Sequence, residues 1–241
     1  MTLLSVVRDV CAVVGVTIPQ SVFSNLTGNR TMQEMVSKAN EVAQSIAYDH
    51  RDWTKLRKVQ TYAGDGVTEA FDLPADYQRM LLTSNVWRST STQSPMRFIP
   101  DTDEWLRRRA EGWSSSPWGE WTMMGGQMHI WPVISSGTTA WFAYLHRNCI
   151  QLASAGLGDV FQSDADRFTL DERVLKLGMI WNWKKDKGAA YAEDMGTWQD
   201  ALNSVAGRDS PAPIIVGRQT MSTAAGYSYP WPTPTEPVVP L

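Results

Sequence analysis

The run at positions 168–198, FTLDERVLKLGMIWNWKKDKGAAYAEDMGTW, constrains this chain more than any other stretch. Thr169 followed by Glu172 is a capping-box pattern, a hydroxyl and a carboxylate placed to satisfy orphan amides at a helix start. Leu170, Val174, Leu177 and Trp181 then recur at helical spacing, and Lys184, Lys185 and Lys187 complement the dipole at the far end. Gly188 stands where a helix usually stops. Tyr191, Met195, Trp198, Leu202 and Val205 give a second stripe, so the segment predicts a helical hairpin. It contains no catalytic constellation.

A second helical pair opens the chain. Leu3, Val7, Val10 and Val14 form one stripe, ended by Gly15 and Pro19. Thr31 and Glu34 read as another capping box, continued by Met32, Met35, Ala39, Val42 and Ile46 to about His50. From Arg57 the period changes to two. Val59, Thr61 and Ala63, a Gly64-Asp65-Gly66 turn, then Val67, Ala70 and Phe71 predict a hairpin over 57–71. Further strands are expected at 80–87, 97–99, 120–124, 127–131 and 139–146, with a short helix at 101–110 capped by Asp101. From Gly207 the composition shifts again: seven of the 13 prolines lie in 207–241, spaced against helix and central strand alike. The fold class expected is α+β: a helical bundle formed by the N- and C-terminal helices, an inserted small β-sandwich or barrel, and an extended Pro-rich C-terminal arm. The corresponding segments are 1–56, 57–150, 151–206 and 207–241.

Composition narrows the function classes. The chain has 241 residues, 43% hydrophobic and 20% charged, which suits a packed core and excludes a disordered chain. A net charge of -3 argues against a general DNA-wrapping surface, which needs clustered cations to displace counterions. Cys11 and Cys149 stand in apolar surroundings and read as buried free thiols. The apolar N-terminal run is broken by Arg8 and Asp9, too short for a membrane span and without the cationic start of a signal peptide. His50, His129 and His146 share no metal-ligand spacing with each other or with a cysteine, and no phosphate loop or nucleophile elbow occurs. The sequence therefore implies no catalytic residue, no cofactor and no metal. Asp164, Asp166, Asp171 and Glu172 form the densest acidic group; helix capping is the favoured reading, a hydrolase pair or divalent-ion site the alternative.

Three features point to partners. Of 12 tryptophans, eight lie between positions 53 and 141, more than one small core needs. Aromatics are enriched at protein interfaces, and a carbohydrate platform is their other use. Arg107, Arg108 and Arg109 point around a helix and cannot share one solvent-facing stripe, so at least one is expected to meet a carboxylate or an acidic partner. In the C-terminal arm, Ile214, Ile215 and Val216 have strand propensity, and Tyr227, Tyr229 and Trp231 are anchors of the type that dominates interfaces.

Three segments in order carry a family resemblance: FDLPADYQRM at 71–80, GGQMHIWP at 125–132 followed by Trp141-Phe142-Ala143-Tyr144, and LDERVLKLGMIWNWKKDKGAAYAED at 170–194. Together they resemble bacteriophage head-to-tail adaptor (connector) proteins over about residues 1–206. The resemblance implies a structural, non-enzymatic virion protein in the neck between capsid and tail, folded in the host cytoplasm and not membrane-bound. It implies a ring, twelve-fold to match the portal, that contacts the portal and a tail or stopper protein and lets DNA pass without sequence-specific binding. Two other classes stay open: an aromatic-rich carbohydrate- or peptide-binding module of a phage tail, and a hydrolase using the acidic group at 164–172.

Overall fold

Helix α1 (Leu3–Val14) starts where the Thr2 hydroxyl accepts the amide of Ser5 at 3.4 Å, and stops at Gly15. The φ of 75° at Gly15 lies in the left-handed region that glycine enters without steric cost. A computed structural model describes residues 1–82, 84–90, 93–112 and 116–209 of the chain. The buried stripe of α1 is Leu3, Val6, Val7, Val10 and Cys11, with Val14 half-buried at its end. Helix α2 (Arg30–Tyr48) buries Met32, Met35, Ala39, Val42, Ala43, Ile46 and Ala47. Its cap is Asn29, which accepts the Met32 amide at 3.3 Å, and not the expected Thr31–Glu34 box. Glu34 pairs instead with Arg30 and Lys187.

Extended elements follow: β1 (Arg57–Ala63), β2 (Ala70–Asp72), β3 (Tyr77–Met80), β4 (Trp87–Arg88) and β5 (Arg97–Phe98) precede helix α3 (Thr102–Glu111). After it come β6 (Glu120–Met124), β7 (Gln127–Trp131), β8 (Thr139–His146), β9 (Ile150–Gln151), β10 (Leu157–Gly158) and β11 (Arg167–Phe168). Strand β8 is the middle of one antiparallel sheet, paired along its length with β1 and on its other edge with β3 and β4. A second sheet has the order β2-β7-β6-β5, parallel only between β5 and β6. A third, small one is β10-β9-β11.

The hairpin expected over 57–71 does not form, because β1 pairs with β8 and β2 with β7. The glycine turn instead carries the chain from one sheet to the other. Asp65 organises it by accepting the amides of Val67 at 2.8 Å and Thr68 at 2.7 Å. Gly64 passes so close to Ile134 and Ser135 that a side chain there would overlap them. Lys58, Gln60 and Tyr62 turn in, while Val59 and Thr61, the residues that marked the strand in the sequence, turn out. Alternation identifies a strand, but it names neither the partner nor the buried face when both faces carry apolar residues. The single strand expected at 80–87 is replaced by the two separate strands β3 and β4.

Helices α4 (Glu172–Asp186) and α5 (Ala192–Asp209) pack on each other as the C-terminal hairpin. The cap of α4 is Asp171, whose carboxylate accepts the Val174 amide at 3.1 Å. Thr169 lies outside the helix with its hydroxyl buried and unbonded, and Glu172 pairs with the N-terminal amine. Both capping boxes fail for one reason: an Asn or Asp with an acceptor of the same reach stands two residues away and takes the cap. Helix α4 packs against α1, α2 and α5 together. Its buried set of Val174, Leu175, Gly178, Met179, Ile180, Asn182 and Trp183 therefore wraps around the helix and does not keep to the predicted stripe.

The architecture is mixed α+β with two hydrophobic cores. One joins α1, α2, α4 and α5 with Trp53, Leu56, Leu145, Cys149, Ile150, Phe161 and Phe168. The other joins Tyr62, Val86, Met96, Trp121, Met128, Ile130, Ile134, Ala140, Phe142 and Tyr144. Strand β8 belongs to both, giving Leu145 to the first and Ala140, Phe142 and Tyr144 to the second.

Candidate interaction surfaces

Helix α3 carries the arginine triplet. Successive helical residues point about 100° apart, and the three guanidiniums separate accordingly. Arg107 lies at the surface and pairs with Glu111 one turn on, at 3.3 Å. Arg108 turns inward to Glu104 one turn back and to the fully buried Glu120 of β6, the latter at 2.6 Å. Arg109 forks onto Glu69 through Nε and Nη2, with its guanidinium 3.8 Å from the centroid of the Trp131 ring. A planar cation stacked on an aromatic face and forked onto a carboxylate is a use that lysine does not reproduce. Arg108 and Arg109 thus fasten α3 to the second sheet, and Arg107 is the triplet member presented at the surface. Glu104 was findable from its helical spacing to Arg108. Glu120 and Glu69, 12 and 40 residues from their arginines, had no local signal.

The acidic group does not cap α4, except through Asp171. Asp164 accepts the amides of Val22 at 2.9 Å and Phe23 at 3.1 Å. Asp166 is 1% exposed and accepts the amides of Ala153, Gln162 and Ser163 at 2.8, 2.6 and 2.7 Å. The carbonyls of the same two residues accept the amides of Leu4 and Leu3 at the start of α1. The carboxylates fold the loop before α4 and tie it to Val22 and Phe23, and the two carbonyls fasten the first helix to it. Among the described residues, no group of three or more His, Cys, Asp or Glu is placed to hold a metal ion. Cys11 and Cys149 are buried free thiols, as expected, and burial pushes the Cys149 thiol up to about 11.

Polar groups also line the inner face of the β1–β8 sheet. Asp76 accepts from Lys58 Nζ at 2.6 Å and from the Tyr144 hydroxyl at 2.8 Å. Burial alone would raise the Asp76 carboxyl, but these two hydrogen bonds and the charge of Lys58 together outweigh it and hold it below the usual range. His146, 3% exposed, is pushed the other way from charge: burial, then the nearby Lys58, lowers its pKa. His50 instead packs edge-on against Trp198, and His129 faces Ala70 and Thr122 across β7.

The outward face of this sheet carries a groove of about 400 Å³ lined by Val59, Leu81, Trp87, Trp141 and Ala143 among others. Trp87 sits directly opposite Trp141 in the β4–β8 register, and Val59 opposite Ala143 between β1 and β8. Val59 is 64% exposed. Among the described residues β1 pairs with β8 alone, which leaves its other edge open. Sequence reading placed Val59 in a strand without assigning its face and so did not find this groove; the signal was a pair of tryptophans on strands of uncertain partner. Every described tryptophan is buried or half-buried. The candidates Ile214, Ile215, Val216, Tyr227, Tyr229 and Trp231 lie outside the described residues.

No described helix is long and apolar enough to cross a membrane. Among curated proteins none matches this chain. The family described as SU10 adaptor protein matches residues 1–233, nearly the whole sequence, and agrees with the resemblance carried by the three segments at 71–80, 125–144 and 170–194. The chain therefore belongs to the SU10 adaptor protein family of phage head-to-tail adaptors.

Proposed function

We propose that the protein is a structural virion component that assembles as a ring in the neck, between the portal and the tail, with DNA passing through the lumen during packaging and ejection. The observation that carries this reading is the family match over residues 1–233. In it, the helical segments 1–56 and 151–206 face the portal, the β region 57–150 meets a neighbouring subunit or a tail or stopper protein, and 207–241 is an assembly arm. Twelve copies would match the portal. The net charge of -3 suits a passage that repels phosphate and does not trap the duplex. The work is mechanical, without a catalytic residue, cofactor or metal. An aromatic carbohydrate platform is less well supported, since such a platform needs flat exposed rings and every described tryptophan is at least half-buried.

Electron microscopy of virions tests the proposal, with the chain located by a fused density marker. The expected result is a ring of marker density between the portal vertex and the tail. Marker at a fibre tip or throughout the tail tube would overturn it.

A further inference from the structure

We infer that the groove on the β1–β8 sheet receives the C-terminal segment of a second copy of this chain, with Tyr227, Tyr229 and Trp231 seated against Trp87 and Trp141. The inference rests on the ring reading above and names the contact that would link its copies. An open strand edge beside an apolar groove is the surface that an extended segment fits. Backbone groups of one end of the segment pair along the β1 edge, while the aromatic row runs across the groove toward Trp141 and Trp87, since β4 lies on the far edge of β8.

The occupant follows from where the described chain ends and what comes after it. Helix α5 finishes at Asp209, whose carboxylate accepts the Thr54 amide at 3.0 Å. Residues 210–241 follow, rich in proline, so an extended course is the one their sequence permits. Tyr227, Tyr229 and Trp231 alternate with Ser228 and Pro230, which puts all three rings on one face of an extended segment. The charges between 217 and 241 are Arg218 and Glu236, well removed from this row, and the groove lining is uncharged. Like meets like on both sides.

Reach permits a neighbouring groove as well as the chain's own, and the ring reading selects the neighbour. At about 3.3 Å per residue, Tyr227 can lie as far as about 60 Å from Asp209. A body of this size has a radius of gyration of about 17 Å, so the aromatic row can cross to an adjacent copy. Ile214, Ile215 and Val216 extend only about 16–23 Å and stay close to their own exit point.

The test uses particles in which every copy carries Val59→Cys and Tyr229→Cys. Val59 is well exposed, and the native thiols of Cys11 and Cys149 are buried and do not compete. Mild oxidation followed by a denaturing gel without reductant should give a ladder of multiply bridged chains, which neither single variant gives. A single chain closed on itself would place the segment on its own body and overturn the inference. No bridge in particles whose neck ring is intact would also overturn it, leaving the ring reading standing. Absence of any neck ring from wild-type particles would sink the ring reading itself. Adding Trp231→Ala should remove most of the ladder at unchanged melting temperature; an undiminished ladder would refute the seating of the aromatic row.

Discussion

Replacing Gly178 by alanine sets intrinsic preference against packing at the centre of the helical core. Inside a helix alanine is favoured over glycine by about 1 kcal/mol. At Gly178, however, the new Cβ would overlap Val42 Cγ1 of α2 and lie 3.0 Å from Trp198 Nε1 of α5. Val42 is β-branched and 3% exposed, so it has no free rotamer to retreat into. Trp198 is held by Trp181 and His50, each with ring centroids 5.5 Å away. Overpacking a tight core costs about 1–3 kcal/mol, and stiff neighbours put this site at the upper end. The net expectation is a loss of about 2 kcal/mol, a drop in melting temperature of about 4–8 °C for a chain of this size. Gly196→Ala on α5 is the matched control, because nothing lies within 4 Å of its added Cβ. Only the helix preference acts there, so stability should rise by up to about 1 kcal/mol. Thermal scans and urea midpoints of both variants read the two signs. If Gly178→Ala were as stable as the parent, or if both variants shifted the same way, the packing argument would be wrong.

Trp183→Ala, which removes a ring 7% exposed in the helical core, should cost about 3–5 kcal/mol in chemical denaturation, and Trp181→Ala, half-buried, clearly less. An unfolded histidine takes a proton below about pH 6.5, while the buried His146 resists until a lower pH. The unfolded state then binds more protons, so stability should fall as pH drops from about 6.5 to the lowered folded value and level off beneath it. His146→Phe should flatten urea midpoints across that window, and an unchanged slope would exclude His146 as its source. Truncation after Ser210 should leave the melting temperature unaltered, whereas truncation after Ala206 also removes the Asp209–Thr54 contact and should lower stability by about 1 kcal/mol.

The helices could be read from local sequence because their signal is local. Leu3, Val7 and Val10 repeat within a few residues of one another, and the glycine that ends α1 is adjacent to it. The Asp101 cap of α3 and the bounds of β6, β7 and β8 were legible for the same reason. The caps of α2 and α4 were misplaced by two residues because Thr, Asn and Asp compete for the same amides, and hydroxyl or carboxylate orientation is settled by what packs around it. Pairing was beyond local reading altogether. Nothing near Val59 reveals that Ala143 will stand opposite it, or that Glu69 will meet Arg109. Which face of β1 is buried was decided by the second core, once Tyr62 joined Phe142 and Tyr144 there and Val59 was left outside. The same assembly set two tryptophans distant in sequence side by side in one groove, because β4 pairs with β8. Periodicity, caps and composition act over a turn or a strand, so the residues specify them directly; strand partners, buried faces and the groove depend on contacts between distant residues, and only the folded chain supplies those.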